Sequence, residues 1–382
     1  MKILRINDIP GNMRGGMAHY IKEVNNCLEK EGHEIICIYK EDIKTGRNAR
    51  LRRFLAPFLI SHLIQEKVKK QAFDVIEIHE PLGAWYVRAR KKNPKLPPVV
   101  ISVYGLEERA FESRLLVDKY IGKSTSFLSK VGAKSIIAQA NYALKYADHV
   151  LVETTEDKEW LIKKIGRNYD SVTIQPGGVK SVFSDFEPTN SPNIIFLGSW
   201  IERKGITVFS RVITRVLDEF PDVRVTIAGC GCDEKSVFKY FPKKNHGNLK
   251  VISALSNDLE TSQALSLSGI FFFPSNFEGI PLSLLEAASA GCAILTTNVC
   301  GMKDFISDGV NGLLCLQFDE DGFFNNLIKL LRQPSLRKNL GKMARIRARE
   351  FTWEKSAFAF MYGCRMAISN SRNPSAHCRE WL

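Results

Sequence analysis

The chain has 382 residues, 45% of them hydrophobic and 25% charged. That length predicts about two domains, and that balance excludes a disordered, collagen-like or disulfide-scaffold protein. The net charge of +13 is uneven: residues 1–150 hold 26 Lys and Arg against 16 Asp and Glu, and the remainder holds 28 against 25. The first half therefore faces something anionic (membrane lipid, nucleic acid or a phosphorylated acceptor) or is ordinary solvated surface.

The nine cysteines are odd in number and lie mostly in apolar runs, so they read as reduced thiols. Cys230 and Cys232 stand two apart with no second pair at metal-ligand spacing, and no metal or other cofactor is expected. The opening MKILRIND is a short strand and not a basic start followed by an apolar core, so no secretory leader is expected. No apolar stretch approaches the roughly 20 residues of a bilayer span. The expected location is the cytoplasm, including the cytoplasmic face of the membrane.

Short apolar runs alternate with longer segments of helical period, the mark of βαβ units and parallel sheets. In chain order the strand candidates of the first half are Lys2–Ile6, Glu34–Tyr39, Val75–Ile78, Val99–Val103 and His149–Glu153. Helix candidates between them are His19–Glu31, Arg52–Lys70, Ala84–Arg90 and Ala133–Ala147. The polar, two-proline stretch Ser184–Pro192 reads as a linker. A second series follows, with strands at Ile194–Leu197, Arg224–Ala228, Leu249–Val251, Ile270–Phe273 and Ala293–Thr296. Its helices are Gly205–Glu219, Asp258–Ser266 and Leu282–Ala290. Two complete series joined once predict an α/β protein of two doubly wound, Rossmann-like lobes, with ligands beyond the carboxyl ends of the strands in a cleft. The expected division is 1–185, 186–350, a C-terminal helix 351–370 and a tail 371–382.

The strongest chemical signal is Phe273–Gly291, FPSNFEGIPLSLLEAASAG. Pro281 suits the start of a helix, whose first N–H groups form an anion site fit for a pyrophosphate. Glu278 then falls in the loop before that helix and Glu286 more than a turn inside it. One carboxylate can face a sugar while the other holds a ribose diol. Gly279 lets a ligand approach the backbone. The bland alternative is a surface acidic pair flanking a packing helix.

In Phe196–Gly205, FLGSWIERKG, a strand ends at Gly198 and the basic pair Arg203–Lys204 precedes a helix. Such a pair can hold a diphosphate leaving group and balance its developing charge. In Gly11–His19, GNMRGGMAH, Gly15 and Gly16 follow the first strand and open a helix, as a loop that approaches an anion would. Asp74–Pro81, DVIEIHEP, delivers His79 to the carboxyl end of a strand, with Glu80 beside it. Ile227–Gly231, IAGCG, lacks the third glycine of a dinucleotide fingerprint, which excludes an NAD site.

The E-x7-E spacing of Glu278 and Glu286 in this context resembles the signature of retaining GT-B glycosyltransferases of family 4 (glycosyl transferases group 1). The other motifs fall in the family's order over nearly the whole chain. The resemblance implies a GT-B fold with a C-terminal helix crossing back to the first lobe. It also implies transfer of a sugar, with retention of configuration, from a nucleoside-diphosphate sugar to an acceptor hydroxyl. Carried over, Glu278, His79, Lys204 and Arg203 are the catalytic residues. Glu286, Gly15, Gly16, Gly198, Ser275, Gly279, Ile280, Pro281 and Leu282 bind the donor. Three positions depart from the family: Ser199 stands where an arginine is usual, so Arg203 serves instead, Tyr104 stands where a histidine is usual, and Gly177 stands where an asparagine is usual. QPGGV at Gln175–Val179 resembles the family's P-N-G-V turn. Asp304 takes the acidic place in Gly301–Gly312, and Phe351–Met366 resembles the returning helix.

The donor is expected to be UDP- or GDP-linked. Arg47–Lys70 mixes basic residues with Phe54, Leu55, Phe58, Leu59, Ile60, Leu63 and Ile64, and Arg88–Lys95 adds a basic cluster. A basic amphipathic helix lies on anionic membrane, so a lipid-linked glycan in cell-surface polysaccharide or glycolipid assembly is the expected acceptor. The alternatives are a GT-B nucleotide-sugar epimerase, or a non-catalytic two-lobed sugar or nucleotide binder. No nucleic acid is expected, because the basic residues lack interleaved aromatic platforms.

Overall fold

The computed structural model describes residues 1–7, 9–11, 15–43 and 49–372. Arg14, Arg47, Cys378 and most of the expected tail lie outside the described residues. The chain forms two compact units. The first comprises Met1–Glu112, Thr125–Pro176 and Trp353–Leu382, and the second Ser113–Ser124 and Gly177–Thr352.

The first unit runs β1 (Lys2–Ile6), α1 (Gly16–Lys30), β2 (Glu34–Ile38), α2 (Ala49–Lys70), β3 (Val75–His79), α3 (Ala84–Lys92) and β4 (Val99–Val103). Helix α4 (Glu107–Tyr120) begins in this unit and ends in the second. Then come α5 (Phe127–Tyr146), β5 (His149–Val152), α6 (Thr155–Trp160) and β6 (Val172–Ile174). The sheet is parallel, in the order β2-β1-β3-β4-β5-β6. Strands β3, β4 and β5 are buried on both faces, which is why they read as apolar runs with little alternation.

The second unit contains β7 (Ile194–Leu197), α7 (Ile206–Glu219), β8 (Val225–Ala228), α8 (Glu234–Phe238), β9 (Leu249–Ile252) and α9 (Asp258–Ser266). It continues through β10 (Ile270–Phe273), α10 (Leu282–Ser289), β11 (Ala293–Thr297), α11 (Cys300–Phe305), β12 (Leu313–Cys315), α12 (Glu320–Arg332) and α13 (Pro334–Ala348). Its parallel sheet has the order β12-β11-β10-β7-β8-β9. Phenylalanines carry much of its core: Phe209 stacks on Phe272 at 5.1 Å and Phe196 meets Phe209 at 5.1 Å. Each such buried ring contributes about 1.5–3 kcal/mol. Helix α7 turns Val208, Val212 and Val216 toward this core at four-residue intervals.

The last helix, α14 (Trp353–Arg372), belongs to the first unit and packs on α1 and β5. Two buried polar clusters hold it there. Tyr20 of α1 brings its hydroxyl 3.0 Å from Ser356 Oγ and 3.1 Å from the Gln175 carbonyl, with its ring edge-on to Trp353 at 5.4 Å. Arg5 and Glu77, directly opposed on β1 and β3, pair at 3.0 Å with no exposure on either side chain. The Arg5 guanidinium also donates to Asn25 and lies 4.5 Å from the Phe360 ring centroid.

The expected strands and helices are present with end shifts of a few residues, except α5, which starts at Phe127, six residues ahead of expectation. Eight further elements, α4, α6, β6, α8, α11, β12, α12 and α13, are not among the candidates. Strand β6 is only three residues long, and α4 has just two buried side chains, Ser113 and Val117, so neither leaves a strong apolar pattern. Helix α2 buries Ile60 and Ile64 while Leu55 and Phe58 stay exposed, so its apolar residues serve two faces. No described helix is long and apolar enough to cross a membrane.

Candidate active site

In a doubly wound sheet the crevice opens where successive connections leave to opposite sides. In the second unit that point lies between β7 and β10. The loop after β7 carries Gly198, Ser199, Arg203 and Lys204, and the loop after β10 carries Ser275 to Pro281. The sheet order therefore brings together two segments far apart in sequence.

Glu278 is the hub. Its Oε1 lies 2.6 Å from Lys204 Nζ, 2.8 Å from an Arg203 guanidinium nitrogen and 2.8 Å from the Ser275 hydroxyl. Arg203 also donates to the Phe277 carbonyl, and Asn276 N–H donates to the Arg203 carbonyl at 2.8 Å. The Glu278 side chain is 10% exposed and that of Lys204 14%, whereas Arg203 is 42% exposed. Burial pushes the Glu278 carboxyl up, but Lys204 and Arg203 outweigh it and hold it below its usual range. Burial lowers the Lys204 ammonium, against the pull of Glu278. Two cations meet one carboxylate, leaving the cluster one positive charge in excess.

Close backbone packing sets this geometry. Gly205 has φ +74°, and a Cβ there would stand 1.9 Å from the Pro274 carbonyl oxygen, so only glycine lets the Lys204 turn abut the β10 loop. A Cβ on Gly301 of α11 would stand 2.0 Å from the Gly279 carbonyl oxygen. Gly198 lies at φ +148°, its face toward Phe273 and Lys204.

Pro281 is the N-cap of α10, one residue ahead of the first helical position expected for it, because its ψ of 121° is extended. Leu282 opens the helix, so Gly279, Ile280, Pro281 and Leu282 line the approach to its N-terminus, where the leading N–H groups have no intrahelical acceptor. Glu286 is the fifth residue of α10. Burial and the nearby Asp258 carboxylate, opposed by Lys180, push its carboxyl up to about 8. Lys180 and Asp258 form an ion pair of 2.9 Å. That pair was not among the expected site residues; only the position of Lys180 directly after QPGGV hinted at it.

In the first unit the corresponding point lies between β1 and β3. Gly15 is the N-cap of α1 at φ +95°, Gly16 its first residue, and His79 the last residue of β3. His79 meets the ring of Tyr104 edge-on at 5.0 Å, and Tyr104 meets Tyr20 at 5.2 Å. Tyr104 thus fills an aromatic cluster behind the glycine loop. Glu80 is 4% exposed, and burial, then Glu107 and Asp157, pushes its carboxyl well above the usual range. Ser199, in the place of the usual arginine, is exposed. Among the described residues no group of three or more His, Cys, Asp or Glu could hold a metal ion.

Comparison with known proteins agrees with this layout. A family model described as Glycosyl transferases group 1 matches residues 180–347, and one described as Glycosyltransferase Family 4 matches residues 14–181. The chain is 25% identical over 368 residues to the phosphatidyl-myo-inositol mannosyltransferase of Mycolicibacterium smegmatis, covering 91% of this chain and 88% of that one. It is 24% identical over 360 residues to an Escherichia coli UDP-Gal:alpha-D-GlcNAc-diphosphoundecaprenol alpha-1,3-galactosyltransferase, covering 86% and 88%. Among solved structures, sucrose-phosphate synthase from Thermosynechococcus elongatus has the same fold, with a TM-score of 0.78 at 16% identity over 96% of this chain and 99% of that one. Anabaena HepE in complex with UDP-glucose gives a TM-score of 0.63 at 13% identity over 97% and 100%. With both family models matched in tandem and both sheets doubly wound, the chain belongs to the family 4 glycosyltransferases of GT-B fold.

Proposed function

We propose that this glycosyltransferase moves a sugar, with retention of anomeric configuration, from a UDP- or GDP-linked donor to an acceptor hydroxyl in glycolipid or polysaccharide assembly. The observation that carries the reading is the Arg203–Lys204–Glu278 cluster, positive by one charge, beside the N-terminus of α10. A diphosphate arriving there meets both cations and the leading N–H groups of the helix.

In the proposed reaction the bond between the anomeric carbon and the diphosphate oxygen breaks first. Charge develops on the departing phosphate, where Arg203, Lys204 and the helix N-terminus balance it. The acceptor oxygen attacks from the same face, and its proton passes to the departing phosphate oxygen. Glu278, kept ionised by its cations, orients sugar hydroxyls as the phosphate draws those cations away. Glu286 takes the ribose diol. His79 contacts the transferring sugar or the acceptor, and Gly15 and Gly16 let the α1 loop approach the donor. No metal or other cofactor takes part.

The relatives named above act on phosphatidyl-myo-inositol and on a diphosphoundecaprenol-linked sugar by their names, and HepE is bound to UDP-glucose. These support a nucleotide-sugar donor and a lipid-linked acceptor, which in our reading lies at an anionic membrane surface on the cytoplasmic side. A thermal-shift panel of nucleoside diphosphates and their sugars tests the reading. The UDP or GDP series is expected to raise the melting temperature by several degrees. No shift with any nucleoside diphosphate overturns the reading, and epimerised donor without acceptor replaces transfer by epimerisation.

A further inference from the structure

We propose that the N-terminal half of α5 is a docking face for an anionic lipid bilayer. Helix α5 has 20 residues, yet its buried side chains are Ala140, Ala143 and Leu144, all in its second half. From Phe127 to Gln139 no side chain is buried. Helix α5 packs against α3, and all of its buried side chains lie in its second half.

That less buried half is not polar. Phe127 is 77% exposed, Leu128 76% and Val131 48%. In an α-helix, positions 127, 131, 134 and 138 follow one stripe, with 128 on its flank. Phe127, Val131 and Ala138 are the apolar members of that stripe, Lys134 is its fourth, and Lys130 borders it. The helix starts cleanly at this point, because the Ser126 hydroxyl accepts from the Ser129 N–H at 3.3 Å. The first turn thus presents Phe127 and Leu128 on ordered backbone, and the stripe from 127 to 138 is about 16 Å long.

Charge selects the occupant. Between Asp118 and Asp148 the chain carries Lys119, Lys123, Lys130, Lys134 and Lys145 and no Asp or Glu. A second copy of this face would meet like charge. Nucleic acid would leave Leu128 and Val131 without a base to stack on. A bilayer interface takes all of these groups, the ring and aliphatic chains below the headgroups and the ammoniums at the lipid phosphates. Helix α5 is distinct from α2 and α3, whose exposed Phe58, Trp85 and Arg88 already contact one another. The inference deepens the proposed membrane-side acceptor but depends only on the surface of the first unit.

The experiment is co-sedimentation of the full chain with vesicles of phosphatidylcholine alone and of phosphatidylcholine with phosphatidylglycerol. Wild type is expected to bind the anionic vesicles. Phe127→Glu/Leu128→Glu is expected to lower that binding at least tenfold, and Lys130→Gln/Lys134→Gln by about fivefold per charge removed. Unchanged melting temperatures show that the exposed substitutions leave the fold intact. Equal binding by wild type and the Phe127→Glu/Leu128→Glu variant overturns the proposal. So does loss confined to a Trp85→Ser/Arg88→Gln comparator. Nucleoside diphosphate binding is measured on the same samples: if it is absent while vesicle binding follows α5, the transfer reading fails and the docking face stands.

Discussion

Lys204 and Glu278 meet at 2.6 Å across the switch point of the second sheet, one from the loop after β7 and the other from the loop after β10. The pair is largely buried, and Arg203 adds a second cation to the same carboxylate oxygen. A site that holds surplus positive charge against low-dielectric walls is built to receive an anion.

Removing that charge tests the site directly. Lys204→Ala is expected to lower kcat/KM about 100- to 1000-fold, the usual cost of losing a donor to developing charge. It is also expected to weaken nucleoside diphosphate binding, because in the proposed reading the ground-state diphosphate uses the same ammonium. Steady-state kinetics with an isothermal titration check both, and a loss below threefold removes Lys204 from the mechanism.

The Glu286 carboxyl, pushed up to about 8, gives a pH signature with a definite sign. In the unfolded chain this group ionises near 4.5, so between that pH and about 8 the folded protein binds the extra proton. The resulting stabilisation is present at low pH and is lost as pH rises through 8. Glu286→Gln removes this dependence, so its melting temperature relative to wild type rises from pH 5 to pH 8.5, by the equivalent of roughly 4 kcal/mol. Donor binding runs the opposite way if Glu286 accepts from the ribose diol: wild-type affinity for a nucleoside diphosphate tightens from pH 6 to 8.5, and the variant loses that trend.

Gly205→Ala is expected to destabilise the chain by about 2–4 kcal/mol, because φ +74° and the Pro274 carbonyl at 1.9 Å both oppose a Cβ. Chemical denaturation reads the loss. Nucleoside diphosphate affinity falls with it, since the Lys204 turn moves away from the β10 loop.

Ser199 is exposed just after β7, at the position where the family resemblance implies an arginine. Ser199→Arg is expected to tighten diphosphate binding three- to tenfold. If Arg203 fills the role of the absent arginine, Arg203→Ala costs less in the Ser199→Arg background than in wild type. A double-mutant cycle on the dissociation constants checks this coupling.

The Arg5–Glu77 pair makes a prediction about stability alone. Arg5→Met strands a fully buried carboxylate and is expected to cost about 3–5 kcal/mol, whereas Arg5→Met/Glu77→Leu recovers most of that loss. Urea denaturation of the three proteins measures it.

Much of the candidate site is legible in local order. The apolar run IFFF, the turn residues PSNFEGIP and the alanine-rich run after them spell strand, loop and helix, which puts Glu278 before a helix N-terminus and Glu286 inside the helix. His79 is legible as a strand end. The Lys180–Asp258 pair beside Glu286 is not, because nothing near either residue encodes the other. The exposed first half of α5 is likewise invisible, since FLSKVGAKSII reads equally well as a helix packed on a core.

Sequence alone determined the alternation of strands and helices, the location of the glycine loops and the chemistry of each motif, because these rest on neighbours within a turn or a strand. Tertiary structure decided which motifs meet. Arg203 and Phe277 stand 74 residues apart, and they touch because β10 pairs with β7 and not with β9. Hydrogen bonds between strands and the packing of helices over them choose that order. That order then sets the charge states: the cations it brings to Glu278 keep that carboxyl ionised, and burial pushes the Glu286 carboxyl up.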